Sequence, residues 1–265
     1  MSDVLNSNYL LVYSFVALMG MAMGSFLNSW VWRAHENIRI VSGRSICHSC
    51  RRRLAWYENI PVFSYIILRG RCRVCNGKIP AHFFWVELIT ALLFIFNAWY
   101  HLAYVKDIIS VCFFAHTLLV VFLIVIFLCD GLYGLIPLDV SLAAIVFGLA
   151  LNLLGRSASL SSMLWGALAA GGFFMLQFLL SRGRWIGGGD IILGALMGVW
   201  LGWPQVLAAL LFAYVAGSVV GIILMKLKKK KFKDSVAFGT YLTAATLLVS
   251  YWGDELLKWY MGLVR

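Results

Sequence analysis

Charge is what this sequence has least of. Asp, Glu, Lys and Arg make up only 12% of its 265 residues, about half the usual share. So few charges cannot cover the surface of a water-soluble fold of this size, and 62% of the residues are hydrophobic. A soluble domain is thereby excluded and a lipid solvent is implied. Acids are scarcer still, 11 against 22 Lys and Arg, for a net charge of +11. Such an excess can signal nucleic acid, but here the basic residues sit in short polar stretches between long apolar runs. The aromatic–basic interleaving of an RNA-binding sheet is missing, so no nucleic-acid partner is expected. Also missing are an internal repeat and a glycine-rich nucleotide fingerprint of the soluble type. The first apolar run is too long for a signal h-region and lacks a small-residue cleavage site, so it is expected to remain in the protein.

What is present are apolar runs. A transmembrane helix needs roughly 20 mostly apolar residues, and eight candidates follow: 9–32, 86–105, 109–129, 135–155, 160–180, 190–202, 204–225 and 236–252. The sixth is short. The expected fold is an all-α polytopic membrane protein of about eight transmembrane helices. It divides into a first transmembrane segment (1–32), a loop domain (33–85) and a membrane-embedded core (86–265).

Basic residues orient it. The stretches 33–84, 181–189 and 226–235 hold ten, two and six Lys and Arg, eighteen of the 22. By the positive-inside rule these three loops are cytoplasmic and both termini lie outside. The run KLKKKKF reads as an anchor against anionic headgroups, which makes membrane lipids partners.

The loop contains CHSC at 47–50 and CRVC at 72–75. Two CxxC pairs at this separation are close to a zinc-ribbon spacing, so Cys47, Cys50, Cys72 and Cys75 are candidate ligands of a structural Zn²⁺. Two disulfides are the alternative, disfavoured in a cytoplasmic loop. His48 reads as a neighbour rather than a ligand. A loop of this kind builds little core alone, and metal binding can supply its folding energy. Its stretch 58–72 is apolar enough to lie against the membrane domain.

Four acids fall in or at the edge of spans: Glu87, Asp130, Asp139 and Asp190. Ionisable groups there are functional candidates by default. Asp130 closes the third span and Asp190 opens the sixth, so both fall at the cytoplasmic boundary of the charge-derived topology. Two carboxylates brought together share a proton, and one then acts as base toward water and the other as acid, as in aspartic proteases. Helix ends favour charge on Asp190, at an N-terminus, and disfavour it on Asp130, at a C-terminus. Gly187, Gly188 and Gly189 clear the approach to Asp190 and let a substrate backbone come close. They and Glu87 are candidate substrate contacts, although a first-turn acid is the plainer reading of Glu87. Pro137 and Asp139 suit the first turn of the fourth span.

These residues resemble the type IV prepilin peptidases, membrane aspartic proteases. GSFLNSWVWR at 24–33, the loop RSICHSC…ENIPVFSYIILRGRCRVC…VELIT at 44–90, Asp130 with Pro137, GGGD at 187–190 and AFG at 237–239 carry the likeness. There are departures. Leu138 stands where an Asp commonly follows the Pro, Ile192 where a Lys often stands, Thr240 where Pro commonly follows FG, and His48 where Pro is frequent. The resemblance implies a bacterial inner-membrane enzyme whose active site faces the cytoplasm. Its expected substrates are prepilins or pseudopilins with a short basic leader. Many members also methylate the new N-terminus with S-adenosylmethionine; that cofactor is implied by resemblance alone and is expected at residues 24–90. A proton-coupled transporter and a non-catalytic pilus or secretion assembly component are the competing readings.

Overall fold

The computed structural model describes residues 7–39, 44–105, 110–155, 158–227 and 237–264. Lys228–Lys231, Lys233, Lys106, Arg156 and Arg265, part of the charge argument, lie outside them. The chain forms two compact units, 1–108 and 109–265. All eight apolar runs are helices, and among the described residues the only β pairing is two isolated bridges.

The first unit contains α1 (Ser7–His35), the short α2 (Phe63–Ile67) and α3 (Ala81–Tyr100), which continues as a π-turn over His101–Val105. α1 and α3 pack antiparallel, and glycine sets their distance. A Cβ on Gly20 would lie 2.7 Å from Ala91 Cα, and one on Gly24 2.8 Å from Glu87 Cα. Small residues four apart are the standard means of bringing two helix backbones together in lipid, where no hydrophobic force drives them. Near the end of the pair the Asn28 amide donates to the Phe83 carbonyl at 3.1 Å.

Between these helices lie two knuckles built alike. In the first, Cys47 N–H donates to Arg52 O and Arg51 N–H to Cys47 O; in the second, Cys72 N–H donates to Gly77 O and Asn76 N–H to Cys72 O. The residue after each CxxC is left-handed, Arg51 at φ 57° and Asn76 at φ 51°. Each knuckle closes on one antiparallel bridge, Ile46 with Arg53 and Arg71 with Lys78.

The second unit is α4 (Val111–Tyr133), α5 (Leu138–Gly155), α6 (Leu160–Ser181), α7 (Gly188–Leu201), α8 (Gln205–Lys226) and α9 (Phe238–Val264). Among the described residues six helices are long and apolar enough to cross a membrane. α9 carries Asp254, Glu255 and Lys258 in its second half. α7 has 14 residues, about 21 Å at the helical rise, short of a hydrocarbon core of about 30 Å. It is nonetheless the centre of the unit. Leu193, Leu196 and Met197 are fully buried, and α7 packs on α5, α6, α8 and α9. Its far end is held by polar contacts suited to a dry interior: Asn152 donates to Val199 O at 2.9 Å, and the Trp200 indole to Ala144 O at 2.9 Å. Trp200 lies over Gly148, where a Cβ would come 2.6 Å from its Nε1.

Candidate active site

Asp130 and Asp190 come together at one end of the second unit. α4 carries Asp130 in its last turn and ends at Gly134, left-handed at φ 65°, whose N–H returns to Asp130 O at 2.8 Å. α7 begins at the same end, with Asp190 in its first turn accepting the Gly187 N–H at 3.0 Å. The two acids are 6% and 8% exposed. They line one cavity of about 830 Å³, and the charge of one bears on the other.

The ends of α4 and α7 do not act alone on Asp130, because a third helix reaches the site. Asp130 Oδ2 accepts the Thr240 N–H at 2.8 Å, and the Gly239 N–H also serves this carboxylate. Asp130 is thus at the C-terminus of α4 and against the N-terminus of α9 at once. The dipole that disfavours its charge is opposed by one that favours it. The AFG element has its physical reason here: a Cβ on Gly239 would stand 2.8 Å from Asp130 Oδ2. Thr240 has one as well, because a proline at that position has no N–H to give.

The three glycines before Asp190 serve different ends. Gly187 caps the carboxylate, and a Cβ on Gly189 would come within 2.8 Å of Ile136 Cβ. Gly188 has nothing within 4 Å of a Cβ, so its bare backbone faces open space on the cavity wall. Asp139 is exposed in the first turn of α5, and Arg182 and Arg184 are exposed in the turn between α6 and α7.

Sequence reasoning passed over Gln177 and Tyr214. They line the same cavity from α6 and α8, joined by a Gln177 Nε2 to Tyr214 hydroxyl bond of 2.9 Å. A glutamine within the run FFMLQFLL was the available signal.

In the first unit the four cysteine Sγ atoms all lie within 4.8 Å of one another and could hold a metal ion. Tetrahedral zinc thiolates at about 2.3 Å from the metal stand about 3.8 Å apart, and Cys47 and Cys75 Sγ are at 3.9 Å. The Cys75 and Val74 N–H groups push the Cys72 thiol down to about 6, toward the thiolate that metals bind. His48 is not in this group. Its ring lies between Trp32 and Phe83, centroids 4.0 and 4.8 Å away, and burial pushes it down to about 4, leaving it neutral.

Glu87 belongs to this first unit, six residues into α3. The helix starts at Ala81 rather than at 86, so Glu87 is not a first-turn acid. Its Oε2 accepts the Val62 N–H at 2.6 Å. Val62 has φ 65° and ψ −54°, and the Phe63 N–H bonds Pro61 O across it at 2.7 Å. This is the rare positive-φ γ-turn, strained for a β-branched residue and held by its surroundings. Nearby, Glu58 is buried and accepts from Arg52 at 2.7 Å and from the Ala55 N–H at 2.9 Å. Those two donors hold its carboxyl below the usual range. Glu58 and Glu87 line a second cavity of about 110 Å³, walled also by Trp32, Tyr65 and Phe83.

Comparison with known proteins follows this division. Residues 18–101 match the family described as bacterial peptidase A24 N-terminal domain, and residues 117–222 the type IV leader peptidase family. The prepilin leader peptidase/N-methyltransferase of Aeromonas hydrophila is 32% identical, covering 95% of this chain and 94% of the relative. That of Aeromonas salmonicida is 31% identical, covering 96% and 95%, and that of Legionella pneumophila 27%, covering 95% of each. No solved structure matches.

Proposed function

The chain belongs to the type IV leader peptidase family, and on that premise we propose that it cuts the leader from prepilins or pseudopilins with Asp130 and Asp190. The observation that carries this is two buried carboxylates, one from α4 and one from α7, on the wall of one cavity. The pair holds one proton and titrates as a unit. The ionised member takes a proton from a water as its oxygen attacks the scissile carbonyl carbon. The protonated member donates to the carbonyl oxygen. The tetrahedral adduct then collapses, the peptide C–N bond breaks, and the amine leaves with a proton returned from the dyad. The substrate backbone runs past Gly188, where no side chain intrudes, and the Gln177–Tyr214 pair supplies polar contacts in an otherwise apolar wall. Arg182 and Arg184 at the dyad end favour a cytoplasmic site.

Methyl transfer belongs to the cavity of the first unit, which lies wholly within residues 25–87. Its aromatic walls and two carboxylates suit a sulfonium cation. At about 110 Å³ it would hold the methyl-bearing end of S-adenosylmethionine. When bound, that group supplies the methyl. The chain's own part is to hold the acceptor amine between Glu58, Glu87 and the aromatic rings. Zn²⁺ on Cys47, Cys50, Cys72 and Cys75 would fasten both knuckles that frame this cavity.

One assay tests the reading. The protein in proteoliposomes is given a prepilin with an intact leader. Wild type should release the leader, whereas Asp130→Asn and Asp190→Asn should each be slower by about 10²–10⁴-fold, the usual worth of acid–base catalysis. Both variants should still add one methyl group to a pre-cleaved pilin. Cleavage by either variant near the wild-type rate would remove the dyad from the mechanism.

A further inference from the structure

The short helix α2 is inside out. Ser64, its one hydroxyl residue apart from Tyr65, is buried and donates to Tyr57 O at 2.8 Å. Phe63, Ile66 and Ile67 point outward, 53, 58 and 77% exposed, and Trp56 just before is 81% exposed. An element that faces water has the opposite pattern. What meets this face is therefore not water.

Its depth identifies the occupant. The Glu87 bond to Val62 N–H ties the start of α2 to α3, and Glu87 stands at the start of the apolar run 86–105, the level at which a span enters the hydrocarbon. The rings of Tyr65 and Phe84, 5.4 Å apart, make a second tie at the same level. Helices that lie in a membrane interface bury their apolar side about 5–10 Å into the headgroup and acyl boundary. The residues that follow are Arg69 and Arg71, both exposed, with Gly70 turning the chain between them at φ 65°. Long basic side chains beside an apolar face reach back to headgroups, and Trp is the residue that favours that level.

We propose that Trp56 and Phe63–Ile67 form an interfacial foot that lies in the leaflet beside α3, with Arg69 and Arg71 on anionic headgroups. The foot holds the first unit's cavity at the bilayer surface, because Ile60, Ser64 and Tyr65 of the same segment line that cavity. The proposal does not depend on the chemistry assigned to either cavity.

Photocrosslinking in the full-length, zinc-loaded protein tests it. Ile67→p-benzoylphenylalanine and, separately, Phe63→p-benzoylphenylalanine are reconstituted in vesicles of phosphatidylethanolamine and phosphatidylglycerol, illuminated, and read by mass spectrometry. Arg53, also exposed, carries the same group as the reference. Phospholipid adducts at 63 and 67 should exceed those at 53 several-fold. Adducts dominated by residues 109–265 or by a second copy of the chain would overturn the foot. So would lipid yields at 63 and 67 no higher than at 53.

Discussion

Thr240→Pro removes one hydrogen atom that matters. The lost N–H is the donor to Asp130 Oδ2 at 2.8 Å. Because Thr240 lies in the first turn of α9, its N–H is not used by the helix itself. Proline is accommodated in a first turn. A hydrogen bond to a charged group contributes about 1.5–3 kcal/mol, which as a rate factor is about tenfold to somewhat over a hundredfold. That is the upper range. Gly239 still faces the carboxylate and the open cavity lets water replace the lost donor, so a fall of about threefold to tenfold is expected. It should appear in kcat with KM little changed, because the bond joins two parts of the enzyme and not enzyme to substrate. Thr240→Ala is the control. It keeps the N–H and removes only the hydroxyl that bonds Ala237 O at 2.7 Å, so it should stay within about twofold of wild type. Initial rates on a prepilin in proteoliposomes, with equal folded fractions checked by circular dichroism, decide the matter. Proline at the wild-type rate, or alanine as slow as proline, would refute a role for this N–H in orienting Asp130.

Two further predictions concern the first unit. The purified protein should carry one zinc per chain, lost in Cys72→Ser; chelation should abolish methylation while prepilin cleavage persists, read by metal analysis and product mass. Glu58, held below its ordinary range by Arg52 and Ala55 N–H, stabilises the fold above the unfolded carboxyl value near 4.5, and that contribution is lost as pH falls through its folded value. Glu58→Gln should therefore lower Tm at neutral pH, and the gap to wild type should begin to shrink below about pH 4.5 and close only as the pH falls through the lower folded value; a gap that does not change with pH would refute the linkage.

Most of the fold was legible in run lengths, because lipid requires about 20 apolar residues in a row. Even the short sixth run, 190–202, is a helix over 188–201. Its brevity is no defect, since a helix enclosed by its neighbours need not match the bilayer. The run ends were less legible. α3 starts five residues earlier than its hydrophobicity, with Ala81 and His82, because the knuckle hands the chain directly into the helix. At the site, Asp130 and Asp190 were conspicuous as acids in apolar surroundings. What surrounds them was not, because it comes from main-chain groups. The Gly239 and Thr240 donors have no side-chain signature, and only the bare Gly hinted at a close approach. Glu87 shows the converse. It was grouped with the glycines before Asp190 as a candidate substrate contact; the structure places it in the first unit, accepting the Val62 N–H, a pairing that spacing along the chain does not reveal.

The shortness of α7 has a consequence for hydrolysis within a membrane. A 14-residue helix leaves roughly 9 Å of a typical hydrocarbon thickness unfilled. At the end of α7 that carries Asp190 the chain meets the cavity around Gly187–Asp190 rather than another turn of helix. The first glycines of α7 open onto that cavity rather than onto a neighbouring helix. On the proposed mechanism, the attacking water reaches both carboxylates through that opening, and no span has to unwind to admit it.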